Sequence, residues 1–491
     1  MRACCCKGSC CLAVSTQHTF LYVSHSSAPL LRLLCSHVYL VTPCSAPLPG
    51  KSISLKFKGP LMMADNSKSF REVQVPALSF PEDPTDPDKG QAVMRTSGLY
   101  AAGPTRLRLR RSATFTNNTK GALWLSSSNS SAHFAGPVTL DRNSDAYKAG
   151  MTFINSSVSF VGPLRCSFAK PWPDANTSDS AVVHYIVYGI QAHGGCIAAT
   201  GSTVVFSKPV KFLSRPGTGN FSSDHGLTCS RSNILFKGTA SFAGGAGNMW
   251  KLEKCNVVAE QAVVFKNSQS TDTVIYIDMD NASIPLTEPA LVASAGNLVF
   301  KAGLVVSGNS AGGIVLKDKQ RLTTQGPSMT CVNNTGTGMR FIGLHGACLY
   351  AGGQSVVIWQ TTSGCVQGNS CMDDTVCIST ACRPPGFPRV NATCGAIWLE
   401  EDSTLDFGSS RVAFGGNVRR TPSGELVEAD VIVFEQWYDQ SSAAGFTCSG
   451  GLRRGLGEYS IQGEVCAPGC TGNVCTCPQG TLWSAAACQC T

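Results

Sequence analysis

The chain has 491 residues, of which 43% are hydrophobic and only 14% charged, with 50 glycines and 25 prolines. That length exceeds what one compact core usually holds, so the alternatives are several domains or one solenoid that grows in a single direction. Glycine without a three-residue period excludes collagen, and the large apolar side chains exclude a disordered chain. The formal charge of +8 comes from short clusters with no basic recognition helix among them, so no nucleic-acid function is expected.

In chain order, residues 1 to 49 read as an atypical targeting segment or an unreliable start. The apolar candidates, Phe20 to Val23 and Leu30 to Leu34 with Arg32 inside it, do not form the clean run of a signal peptide. From about 50 to 445 one phrase returns: a few alternating apolar residues, a small polar pair, Phe flanked by Gly or Ala, then another alternating run ending in Asn or Gly. Copies begin at Ser52, Ser112, Gly150, Ser202, Ser232, Gln261, Gly296 and Gly395. Alternation marks half-buried strands, because successive side chains leave opposite faces.

The intervals from Phe134 to Phe160 and from Phe242 to Phe265 suit one solenoid turn of about three short strands, each turn needing its neighbours to bury a face. The fold class expected is therefore all-β, a parallel β-helix with a small C-terminal disulfide-rich module. Phe115, Phe134, Phe160, Phe236, Phe242, Phe265, Phe300 and Phe414 should point inward and stack; the alternative is an ordinary sandwich core. Asn117, Asn118 and Asn309 fit turns where the amide satisfies backbone groups, or else exposed loops.

The basic cluster Arg106, Arg108, Arg110 and Arg111 alternates in an extended pattern. It suits a soluble basic surface, or one that rests against an anionic wall or matrix polymer. Loops are expected at 75 to 91, which holds four prolines, at 166 to 180, and most of all at 361 to 395. In that last stretch Cys365, Cys371, Cys377, Cys382 and Cys394 should pin a projecting insertion, the first place to look for a binding surface unless it is only a stapled loop.

Residues 446 to 491, with Cys448, Cys466, Cys470, Cys475, Cys477, Cys488 and Cys490, read as a cysteine-rich knob capping the open end. Twenty-five cysteines in all point to an oxidising compartment, hence a secreted, extracellular or cell-wall protein. Eight glycosylation sequons, at Asn117, Asn129, Asn155, Asn176, Asn220, Asn281, Asn333 and Asn391, agree with that setting. No run of 18 uncharged apolar residues occurs, so no membrane-spanning helix is expected.

The phrases GNSAGGIVL at 308 to 316, KGALWL at 120 to 125, CGAIWL at 394 to 399, FTNN from Phe115, FINS from Phe153 and FKNS from Phe265 resemble paired GGA-I/L/V and F-x-x-N repeats. Those repeats occur in polymorphic outer-membrane proteins of chlamydiae and in pectin-lyase-like proteins of green algae. The resemblance spans about 50 to 440 in degenerate form and implies a right-handed parallel β-helix used as a surface or extracellular scaffold. It carries no catalytic residues onto this chain. The bacterial proteins end in a transporter barrel, whereas this chain ends in cysteines without ten-residue alternating strands.

Inverting polysaccharide hydrolysis needs paired carboxylates with room for a water. The ordered Asn-x-Asp, Asp-Asp, Gly-His-Gly and Arg-x-Lys elements of such enzymes are missing. Asp224-His225-Gly226 precedes Asp373-Asp374 and reads as a turn. If the chain is an enzyme, Asp278, Asp280, Asp373 and Asp374 are its candidates, and Asp272, Asp278 and Asp280 could supply calcium with oxygen ligands. The one-residue spacings of Cys475, Cys477 and of Cys488, Cys490 suit disulfides better than zinc. The expectation is a non-enzymatic scaffold with a glycan or protein partner and no cofactor, the alternative a polysaccharide-active enzyme.

Overall fold

A computed structural model of the protein describes residues 53–64, 99–143, 149–168, 195–214, 225–244, 249–268, 273–277, 282–286, 290–336, 346–372 and 395–435, apart from breaks of one or two residues, together with short strands nearer both ends. It is all-β, and its large, mostly parallel sheet has the strand order of a solenoid.

One turn shows the rule. Gly195–Thr200, Thr203–Phe206 and Val210–Ser214 pair in parallel with His225–Ser230, Asn233–Phe236 and Ala240–Ala243 of the following turn. Those in turn pair with Trp250–Glu253, Asn256–Ala259 and Val263–Lys266. Three ladders result. The first runs from His37–Val41 to Asp430–Glu435, the second from Ile53–Phe57 to Gly445–Cys448, and the third from Leu61–Ala64 to Arg411–Gly415.

Alternation fixes what lies inside. Leu107 and Leu109 are buried while Arg106 and Arg108 are exposed, and the same reading holds along each ladder. All eight expected phenylalanines, Phe115, Phe134, Phe160, Phe236, Phe242, Phe265, Phe300 and Phe414, lie in the core. On the second ladder Phe134, Phe160, Phe206 and Phe236 stack ring on ring at 4.6, 5.0 and 4.8 Å. On the third, Phe212, Phe242 and Phe265 stack at 4.4 and 5.2 Å.

The column on the second ladder is interrupted where Ala259 takes the place of Phe236 and Phe300 in register. Trp250, reaching in from the first ladder, fills that volume: its ring lies 5.4 Å from Phe236 and 6.0 Å from Phe300, nearly parallel to both. Close packing tolerates the small residue because a neighbouring strand supplies the missing ring.

Corners are held by stacked polar side chains. Between the third ladder and the next turn, Asn309, Asn334, Asn369 and Asn417 form a buried column. Each amide Nδ2 donates to the Oδ1 of the next asparagine, at 2.8, 3.0 and 3.0 Å, and each backbone N–H donates to the same oxygen. Asn118 and Asn143 repeat this pairing near the other end. Asn334, Asn369 and Asn417 also donate to carbonyls of Val306, Cys331 and Val366 in the preceding turn.

A left-handed residue precedes several of these amides, as at Asn333 and Gly368. At the corner between the first and second ladders, the N–H of Ser156 donates to Ser202 Oγ and that of Ser202 to Ser232 Oγ. Backbone groups that leave the ladder at a corner thus find side-chain partners, as burial demands.

The repeated phrases of the sequence mark these corners. F-x-x-N is the last inward residue of the third ladder followed by the column residue, as in Phe115 with Asn118, Phe414 with Asn417 and, with serine in place of asparagine, Phe265 with Ser268. Phe153-Ile-Asn-Ser156 is a different object, belonging to the first-to-second corner. The small residue of the GGA phrase sits where a side chain does not fit: a Cβ on Gly313 would lie 2.5 Å from the Cys348 carbonyl oxygen.

Connections differ by corner. First to second, they run from one residue, Asn155, to four at 352–355 within the central turns, and second to third they are equally brief. Third to first is where 65–98, 169–194 and 373–394 are inserted. Cys166–Cys196 and Cys331–Cys348 hold equivalent positions at this corner, each joining the chain on either side of an insertion, whereas Cys229–Cys255 links one turn to the next. Replacing both Cys166 and Cys196 by serine is expected to cost about 3 kcal/mol, read as a lowered urea midpoint against wild type under oxidising conditions.

Three expectations change. The segment 361 to 395 begins as sheet, since Val356–Gln367 and Ser370–Met372 are strands, because the asparagine column at Asn369 carries the chain through the corner first; residues 373–394 lie outside the described residues. Likewise Cys166 belongs to strand Leu164–Phe168 and not to a loop. His225, expected in a turn, opens the strand His225–Ser230 because Gly226 follows the small-residue rule.

At the ends, antiparallel strands replace parallel ones. Leu12–Ser15 pairs with His37–Val41, Gly451–Arg454 with Gly445–Cys448, and Tyr459–Ile461 with Asp430–Glu435. The sheet therefore continues past 446, while Cys470–Thr471 pairs with Val474–Cys475 and Trp483–Ser484 with Gln489–Cys490 in separate antiparallel pairs. No helix among the described residues is long and apolar enough to cross a membrane.

Candidate functional site

The proposed acidic residues fall in corner insertions. Asp278 and Asp280 stand between Thr273–Ile277 and Ala282–Leu286, an antiparallel pair inserted after the third-ladder strand Val263–Lys266. Asp373 and Asp374 follow Ser370–Met372. All four lie outside the described residues. Their insertions leave the same corner, but the third-ladder strands before them are three rungs apart, linked through Leu304–Ser307 and Arg321–Val332. That is roughly 14 Å between these strands at the usual interstrand spacing. Among the described residues no group of three His, Cys, Asp or Glu side chains is placed to hold a metal ion.

Of the sequons, Asn129, Asn155 and Asn333 are described; Asn117, Asn176, Asn220, Asn281 and Asn391 are not. The three described ones are all exposed, and Asn129 lies in a three-residue excursion that opposes the single residue Asn155 of the next turn. Asn155 and Asn333 adopt left-handed backbone, with φ of 49° and 55°. Their Oδ1 atoms lie over the α-carbons of Gly201 and Gly368, where a Cβ would come within 2.2 and 2.3 Å. Secreted protein is thus expected to carry glycan at Asn129 in preference to Asn155 and Asn333. Site-resolved glycopeptide mass spectrometry tests this, and equal occupancy of the three would contradict it.

Of the cysteines expected to pair, Cys365 and Cys371 are buried and disulfide-bonded. Cys470 and Cys475 face each other in register, and Cys490 faces Trp483. Cys448 ends the strand Gly445–Cys448. Cys377, Cys382, Cys394, Cys466, Cys477 and Cys488 lie outside the described residues. The three bonds Cys166–Cys196, Cys229–Cys255 and Cys331–Cys348 were not singled out from sequence. Their signal was spacing, since separations of 30 and 26 residues approximate one turn.

The outer face of the second ladder carries the basic cluster. Lys56 stands in register with Arg108, and Arg108 with His133; Ser54, Arg106 and Ser131 form the next column. Arg110 donates its N–H to the Phe57 carbonyl, which brings it beside Lys58. Lys56, Lys58, Arg106, Arg108, Arg110, Arg111 and His133 are all exposed.

The ion pairs among the described residues, Arg142 with Asp141 and Lys254 with Glu253, involve none of them. Farther along, this face turns to short polar and aliphatic side chains such as Ser159, Val205, Leu235 and Val258. No protein-family model, curated protein or solved structure matches the chain.

Proposed function

We propose that the chain is a non-enzymatic extracellular or cell-surface repeat scaffold, a right-handed parallel β-helix of the pectin-lyase-like kind, that presents corner insertions to matrix glycans or protein partners. The observation that carries this reading is the segregation of long insertions to the third-to-first corner, with equivalent disulfides at Cys166–Cys196 and Cys331–Cys348. Loops on a rigid frame are where binding residues concentrate. The cysteine content supports an oxidising, extracellular setting. Right-handedness follows the strong preference of parallel crossovers for that hand. The cysteine-rich C-terminus serves as a cap.

A polysaccharide-active enzyme is the second reading. It is favoured by one fact: Asp278, Asp280, Asp373 and Asp374 all belong to insertions at one corner. Calcium bound near Asp278 and Asp280 would belong to that reading. The test is a binding and turnover screen of secreted, glycosylated protein against acidic and neutral polysaccharides, with and without calcium. Retention without product supports the scaffold; release of new chain ends overturns it and directs mutagenesis to those four aspartates.

A further inference from the structure

We propose that the exposed face of the second ladder at its N-terminal end is a docking surface for an acidic polysaccharide, held by Lys56, Lys58, Arg106, Arg108 and Arg110. This rests on the scaffold reading in taking the partner to be an extracellular glycan, but it places the contact on a flat sheet face and not on the corner insertions.

The geometry is that of a lattice. Along Thr105–Leu109 every second side chain points outward, so Arg106, Arg108 and Arg110 stand about 6.6 Å apart; in register across rungs, Lys56 and Arg108 stand about 4.8 Å apart. Like charges directly opposite one another on neighbouring strands oppose folding. Here the side chains are exposed with no acidic partner among the described residues. Among the described residues of this face the next acidic one is Glu260, after the strand Asn256–Ala259 five rungs on, roughly 24 Å away. That exceeds the Debye length at physiological salt, so the positive potential is not cancelled within the face.

An arrangement that is unfavourable alone and regular in two directions suits a ligand with regularly repeated anions. Guanidinium groups bind carboxylate and oxyanion groups through paired hydrogen bonds. The hydroxyls of Ser54, Ser131, Ser157 and Ser159 beside them suit sugar hydroxyls. A nucleic acid is less well served: among the described residues the face offers no Phe, Tyr or Trp platform for bases and no helix for a groove.

The experiment passes full-length glycosylated protein over immobilised polygalacturonate, dextran sulfate and neutral dextran, with reducing ends assayed in the same fractions. The variant R106S/R108S/R110S is compared with K211S/K237S/K301S, which removes the same charge from exposed positions elsewhere. Expected is retention on an acidic polymer, weakened about tenfold by the arginine variant and little by the control, and declining with salt. Matching thermal melts verify that the arginine variant is folded.

Equal loss in both variants, no retention on either acidic polymer, or competition by duplex DNA as effective as by free polygalacturonate would overturn the proposal. Cleavage of a polymer would instead overturn the scaffold reading, and selective loss of binding in the arginine variant would still uphold the docking face.

Discussion

Asn369→Ala is expected to lower the unfolding free energy by about 5 kcal/mol, because four buried hydrogen bonds are lost at once. The amide of Asn369 donates to the Cys331 carbonyl and to Asn417 Oδ1, while its own Oδ1 accepts from the N–H and Nδ2 of Asn334. All of this lies in the interior, where no solvent replaces a lost bond. Turns of a solenoid depend on their immediate neighbours, so the loss should concentrate there. Hydrogen exchange should rise in Arg321–Val332, Val356–Gln367 and Arg411–Gly415 and stay unchanged around Gly195–Thr200. A uniform rise along the chain would contradict the column's local role.

The isosteric Asn369→Asp gives the same test a pH axis. Its carboxylate would face the Cys331 carbonyl and Asn417 Oδ1, both acceptors in the wild type, so burial and repulsion raise its folded-state pKa above the unfolded value of about 3.9. An acid whose pKa is raised on folding loses stability as pH rises from the unfolded value toward the folded one. The aspartate variant should therefore lie nearest to wild type below about pH 4 and farthest at pH 7. Urea midpoints of both proteins at the two pH values decide it; a deficit independent of pH would show that the amide's donors are not what matters.

Phe160→Ala is the second large effect, about 4 kcal/mol. The ring is stacked at 4.6 Å on Phe134 and 5.0 Å on Phe206, with Phe153 edge-on at 6.3 Å. Rigid ladders on either side limit collapse into the space left behind. The column also shows what repair requires. At Ala259 the missing ring is replaced by Trp250, whereas beside Phe160 the corresponding first-ladder positions carry Met151 and Phe153, both already buried. A denaturant titration of Phe160→Ala with Phe160→Leu as the control that keeps most of the volume checks the argument, and equal midpoints for the two would refute it.

These elements separate what the chain discloses in one dimension from what it does not. Inward phenylalanines are legible because strand alternation is local: Val158-Ser159-Phe160 declares its faces without reference to any partner. Asn118 and Asn309 are legible as turn residues for the same reason, though not as members of one column, since Asn309 meets Asn334 only after a whole turn. Trp250 in place of a phenylalanine is illegible, because substitution across ladders leaves no mark on either local pattern. The strand at 361–367 was hidden by its cysteine and its glycine, Gly364 being small to admit Trp359, whose ring lies 2.9 Å from where a Cβ would be. The basic face was half legible: alternation of Arg106, Arg108 and Arg110 is in the sequence, but Lys56 standing opposite Arg108 is a fact of register.

The confinement of long insertions to a single corner within the central turns separates two kinds of change in this chain. Lengthening a loop there costs only slowly increasing closure entropy, since its two ends are already fixed in the ladders and, in two turns, joined by a disulfide. A single residue added within a ladder would turn every following side chain inside out. One edge of the molecule can therefore drift in length and composition while the ladders themselves stay fixed to the residue, so recognition can be rewritten without rewriting the frame.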